Sequence, residues 1–88
     1  MIVQVDIPEY LPENGVETKW EDGFIISFER GYSAMMLKAN SAGLITLARH
    51  LLTLAQADVP AGSHIHYDEP ILFERGSQEL IIEKHDFN

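Results

Sequence analysis

Asn40-Ser41-Ala42-Gly43-Leu44-Ile45-Thr46-Leu47-Ala48-Arg49-His50-Leu51-Leu52-Thr53-Leu54-Ala55-Gln56 is the stretch on which the fold turns. Leu44, Leu47, Ala48, Leu51, Leu54 and Ala55 recur at three- and four-residue spacing. That period predicts an amphipathic helix whose apolar stripe needs a covering surface. Asn40 or Ser41 supplies a side-chain acceptor for the free amides of the first turn. Gly43 costs up to about 1 kcal/mol relative to Ala in a helix interior; it either weakens the first turn or permits close packing. Ile45 and Leu52 widen the stripe, as suits a helix laid across a sheet. Leu47 and Leu51 are expected to face that sheet nearly fully buried, with Arg49 and a solvated His50 on the outer face. Gln56 to Pro60 ends the helix, because Pro60 biases Val59 out of helical conformation.

The remaining apolar runs are short, and several alternate, which is the strand signature. Val3, Val5 and Ile7 alternate with Gln4 and Asp6 and predict a strand over Ile2 to Ile7, stopped by Pro8. A weak second strand is expected over Val16 to Trp20, with Trp20 in the core. Phe24, Ile26 and Phe28 stand opposite Ile25, Ser27 and Glu29. With Gly31 at the turn, Phe24 to Arg30 and Tyr32 to Lys38 predict a hairpin, Met35 and Met36 filling gaps in the core. His64 to Tyr67 predicts a further strand, followed by the brief Ile71-Leu72-Phe73 run and a turn at Glu74 to Ser77. Leu80-Ile81-Ile82 fits a central strand covered on both faces. The expected fold is α+β: a small, mainly antiparallel sheet packed against one central α-helix, with residues 1–88 forming a single domain.

Bulk composition narrows the function. Fourteen acidic against six basic side chains give a formal net charge of −8 with His neutral, and the six cations are scattered along the chain. Such a surface repels phosphate backbones, so nucleic-acid binding is disfavoured, whereas basic partners are steered toward it. There is no cysteine, hence neither a disulfide framework nor a thiolate metal site. No apolar run approaches the roughly 20 residues that span a bilayer, and Met1-Ile2-Val3-Gln4 lacks a secretory start. A soluble, cytoplasmic protein is expected.

The chemistry-bearing stretch is Gly62-Ser63-His64-Ile65-His66-Tyr67-Asp68-Glu69. On a strand, His64 and His66 point to one face, with Ile65 and Tyr67 on the other. Two imidazoles with a carboxylate from Asp68, Glu69 or Glu79 form a mononuclear metal site on paper, so one reading is a small metal-binding protein using His64, His66 and Asp68. The other is an interaction face on which the histidines are satisfied by water or nearby carboxylates, with no cofactor. Nucleophile elbows, phosphate-cradling glycine loops and His-Glu-x-x-His helices are all missing, and a domain this small has little depth for a substrate pocket, so an enzyme is not expected.

Four segments together resemble a known family: Ala39-Asn40-Ser41-Ala42-Gly43-Leu44; Leu47-Ala48 through Leu51-Leu52-x-Leu54-Ala55-Gln56; Val59-Pro60-x-Gly62-x-His64-Ile65-His66-x-Asp68; and Gly76-Ser77-x-Glu79-Leu80-Ile81-Ile82-Glu83. The arrangement is similar to the Imm32-type immunity proteins, small bacterial proteins predicted to protect the producing cell from a cognate polymorphic toxin. The likeness runs from Ala39 to Glu83; the N-terminal part carries no matching motif. It implies an inhibitor that acts by binding a protein toxin, with no chemistry of its own. Combined with the acidity, it makes that toxin basic and places recognition on His64, His66, Asp68, Glu69 and Glu74, with Glu21 and Asp22 as a second patch. A homodimer through exposed sheet edges is compatible with either reading.

Overall fold

The structure is a computed structural model, in which residues 1–68 and 78–87 are described. Its elements in chain order are β1 (Ile26–Arg30), β2 (Met35–Ala39), α1 (Ser41–Leu54), β3 (His64–Tyr67) and β4 (Leu80–Glu83). The arrangement is α+β, as the patterning predicted, with one helix and two antiparallel two-stranded sheets among the described residues. In the first sheet Ile26 is opposite Ala39 and Arg30 opposite Met35. In the second, His64 is opposite Glu83 and Tyr67 opposite Leu80. The two sheets touch through the Gln78 amide, which donates to the Phe28 carbonyl at 2.9 Å.

The helix starts at Asn40, whose Oδ1 accepts from the Gly43 amide at 2.8 Å and from the Ile25 amide at 2.9 Å. One side chain thus caps the helix and holds the residue that leads into β1. Gly43 belongs to the packing rather than to a weak first turn: a Cβ there would sit 2.5 Å from the Ile25 carbonyl oxygen. Beyond the helix C-terminus, the Lys84 ammonium donates to the carbonyls of Gln56 and Val59 at 2.7 Å each. It satisfies acceptors that the helix can no longer use.

The face that α1 buries is not its most apolar one. Gly43, Thr46, Leu47, His50, Thr53 and Leu54 are buried, whereas Leu44, Leu51 and Leu52 are about half exposed. Leu47 conforms to expectation and Leu51 does not. Two of the polar inward side chains explain the choice, since Thr46 and His50 bind backbone that has no ladder, whereas Thr53 bonds within the helix. Thr46 Oγ1 accepts from the Glu21 amide, His50 Nε2 meets the Lys19 carbonyl, and Thr53 Oγ1 donates back to the Arg49 carbonyl.

The same bonds account for the missing N-terminal strands. Neither Ile2 to Ile7 nor Val16 to Trp20 forms a ladder, and Ile2 and Val3 are largely exposed. Side chains of α1 and its C-terminal extension take the ladder's place. Arg49 donates to the Asp6 carbonyl, and Gln56 accepts from the Tyr10 amide at 2.9 Å while donating to the Pro8 carbonyl at 3.0 Å.

The core comprises Ile26, Leu47, Leu54, Val59, Ile65 and Tyr67, flanked by partly buried Trp20, Phe24, Phe28, Leu80 and Ile82. Met35 and Met36 lie on an exposed strand and fill no gap. Strand β4 is no two-faced central strand: it pairs with β3, and Ile81 remains half exposed on the side away from the core.

Candidate partner-binding face

Strand β3 sorts its residues as the alternation predicts, Ile65 and Tyr67 inward and buried, His64 and His66 outward and exposed. Antiparallel register adds the neighbours. His66 is opposite Ile81 and His64 opposite Glu83, so directly paired positions bring an apolar and an acidic side chain to the histidine face. His66 Nδ1 lies 3.1 Å from Glu79 Oε2, and the two imidazoles meet edge to face with centroids 4.9 Å apart. His64 Nδ1 donates to the Gly62 carbonyl at 2.9 Å, which fixes hydrogen on that nitrogen because a carbonyl only accepts. His85 Nδ1 stands 3.7 Å from Glu83 Oε2 at the far end of the face.

This surface can offer a partner the two imidazole Nε2 atoms, which accept in the neutral ring, together with carboxylate acceptors and one apolar contact at Ile81. Glu79, Ile81, Glu83 and His85 were not singled out for recognition from the sequence. What would have found them is the register: with His64 outward, every second residue of the pairing strand shares its face. Asp68 follows on the same strand end and is exposed. Glu69 and Glu74, the other acids assigned to this patch, lie outside the described residues.

The second acidic patch divides. Asp22 is exposed in the turn before β1, but Glu21 is paired with Arg49 of α1, whose side chain is only 13% exposed. Glu21 is thus committed to holding the N-terminal segment on the helix, and Arg49 is no outer-face residue. As for a metal, among the described residues no three His, Cys, Asp or Glu side chains are grouped so as to hold one ion.

A second histidine cluster is internal. His50, expected on the surface, is fully buried, with Nδ1 2.7 Å from the Tyr67 hydroxyl and Nε2 3.0 Å from the Lys19 carbonyl. The carbonyl requires hydrogen on Nε2, so in the neutral ring Nδ1 accepts from the Tyr67 O–H. Trp20 packs edge-on against His50 at 4.5 Å and against Tyr67 at 6.0 Å. Burial lowers the His50 pKa below its ordinary value, against the raising effect of the Lys19 carbonyl bond, with the nearby Arg49 cation lowering it further. Burial also pushes the Tyr67 phenol up. Both groups are therefore held neutral, as a structural pair.

No helix among the described residues is long and apolar enough to cross a membrane. No curated protein and no solved structure matches the chain significantly. The family model described as Immunity protein 32 does match, over residues 35–85, from the first residue of β2 to just beyond β4. That span is more than half of the sequence and contains the helix, its Asn40 cap and the histidine strand, so the chain belongs to the Imm32 family of immunity proteins.

Proposed function

We propose that this protein binds a cognate protein toxin in the cytoplasm and neutralises it by covering it, without chemistry of its own. Family membership carries the reading. The net charge of −8 supports a basic partner, since opposite charge accelerates encounter more than it deepens final affinity. We place the contact on His64, His66 and Asp68, continued by Glu69 and Glu74, with Asp22 of the second patch in a supporting role. Glu21 contributes through its hold on Arg49.

The test is co-expression with a candidate toxin domain sought among the neighbouring genes. Wild-type protein is expected to restore growth and to co-purify with the toxin in a salt-dependent complex. Replacing both His64 and His66 by Ala should weaken capture while leaving the circular dichroism spectrum unchanged, because neither side chain is buried. Full protection by the double variant would remove the histidine face from the reading. Failure of the wild-type protein to protect would remove the toxin reading itself.

A further inference from the structure

The outward side of α1 is apolar and largely uncovered, bordered by residues 3–6 at Leu44, Ile45 and Ala48 and by Ile82, Glu83 and Lys84 at Leu51 and Ala55. Leu44 is 55% exposed, Leu51 50%, Leu52 48% and Ile45 45%, and Ala48 and Ala55 between them are exposed as well. At 100° per residue, Ala48 and Ala55 define the middle of this side, Leu44 and Leu51 flank them on one edge, and Leu52 and Ile45 on the other. Single exposed leucines are ordinary; a contiguous apolar helix face is the mark of an interface.

Charge decides what covers it. From Ser41 to Ala57 there is not one Asp or Glu, although the chain carries 14 acids. The one charged side chain in that span, Arg49, is taken by Glu21 and the Asp6 carbonyl. The acids that border the face from other segments are Asp6, Glu21, which Arg49 already holds, and Glu83 beside Lys84, so a basic partner gains little here. Two copies of a protein with net charge −8 repel over most of their surface, and the helix, itself free of acids, is where they can approach with little of that penalty.

We propose that this face of α1 is a self-association surface, on which a second copy of the chain packs helix against helix about a two-fold axis near Ala48. The small residues Ser41, Ala48 and Ala55, seven apart, allow the two helices to come close, and the flanking Leu and Ile side chains interdigitate across the axis. The helix alone offers roughly 400 Å² per protomer, about half of one partner's share in a standard stable interface. Val3, exposed beside Leu44, Ile45 and Ala48 in the adjoining groove, extends the patch. A dimer with a micromolar dissociation constant is expected. The inference does not depend on the toxin reading, and it uses a helix rather than a sheet edge.

Sedimentation of the untagged full chain from about 1 to 500 μM tests it, and the expected result is a concentration-dependent monomer–dimer equilibrium. Leu51→Glu should raise the dissociation constant at least about tenfold with an unchanged circular dichroism spectrum. Because the chain has no cysteine, Ala48→Cys gives an independent reading: on oxidation it should form a disulfide-linked dimer, whereas Glu17→Cys, an exposed position that is not part of the proposed face, should not. This pair also decides the matter should Leu51→Glu fail to fold. A monomer throughout the range, a dimer untouched by Leu51→Glu, or equal cross-linking at both cysteines would overturn the proposal. So would a monomeric wild-type protein whose toxin capture is weakened by Leu51→Glu, since the face would then belong to the toxin.

Discussion

Tyr67 donates its phenolic hydrogen to Nδ1 of His50 across 2.7 Å, in a site where both side chains are fully buried. The bond joins β3 to the helix, and the Lys19 carbonyl on the other ring nitrogen extends it to the N-terminal segment. Tyr67→Phe removes the donor and leaves Nδ1 without a partner in a dry environment. The expected loss is about 1–3 kcal/mol, read as a lower midpoint in urea unfolding with an unchanged slope.

The same site sets a pH dependence. Burial holds the folded His50 pKa below its ordinary value of 6.5, so below about pH 6.5 the unfolded chain takes up a proton that the folded chain refuses. His50 therefore contributes its full stability above about pH 6.5 and loses it as pH falls toward the folded value. Protonation would also reverse the bond, Nδ1–H donating to the Tyr67 oxygen and the phenolic hydrogen losing its acceptor, beside the Arg49 cation. The melting temperature should fall on acidification from about pH 7.5 to pH 5, more steeply in the wild type than in His50→Gln. Parallel profiles in the two proteins would assign the acid sensitivity elsewhere.

Why the helix is legible in the sequence and its orientation is not can be argued from His50. Period and capping depend on neighbours along the chain, so Asn40, the apolar spacing and Pro60 locate α1 correctly. Which side turns inward depends on what the other segments need. Twenty-five N-terminal residues form no ladder, and the long-range partners of their backbone include Thr46, His50, Arg49 and Gln56. Those long-range partners have no periodic signature, so the most apolar stripe looked like the buried one. The histidine face was legible because alternation on β3 is local. Its companions on β4 depend on register, which pairs residues more than a dozen positions apart in the chain.

Leu47 and Leu51 now separate cleanly. Leu47 is 6% exposed and in the core, Leu51 50% exposed and outside it. Leu47→Ala should cost about 2–5 kcal/mol, while Leu51→Ala should stay within about 1 kcal/mol. Thermal or urea unfolding of both variants at a concentration below dimer formation checks the pair, and equal losses would contradict the helix orientation.

Gly43→Ala reverses a usual rule. In an ordinary helix interior the change is favourable by up to about 1 kcal/mol. Here the added methyl would lie 2.5 Å from the Ile25 carbonyl oxygen and 3.0 Å from Ile26 Cγ1, and neither a backbone atom nor a fully buried side chain can yield easily. Displacing α1 from β1 should cost about 1–3 kcal/mol. A gain in stability on making Gly43→Ala would show that the helix does not approach the strand this closely.

The N-terminal segment should open before the rest of the protein, because side chains hold it where a ladder would otherwise do so. Arg49 binds the Asp6 carbonyl and the Glu21 carboxylate, and Gln56 binds Pro8 and Tyr10. The buried core residues all lie after residue 25, and within residues 1–15 the partly buried hydrophobic packed against them is Tyr10. Arg49→Ala combined with Gln56→Ala is therefore expected to accelerate amide exchange and proteolysis within residues 1–15 severalfold, while protection in α1 and β3 changes much less. Exchange that rose uniformly along the chain would mean that the segment unfolds together with the core, and that Arg49 and Gln56 hold the whole fold rather than one strap across its helix.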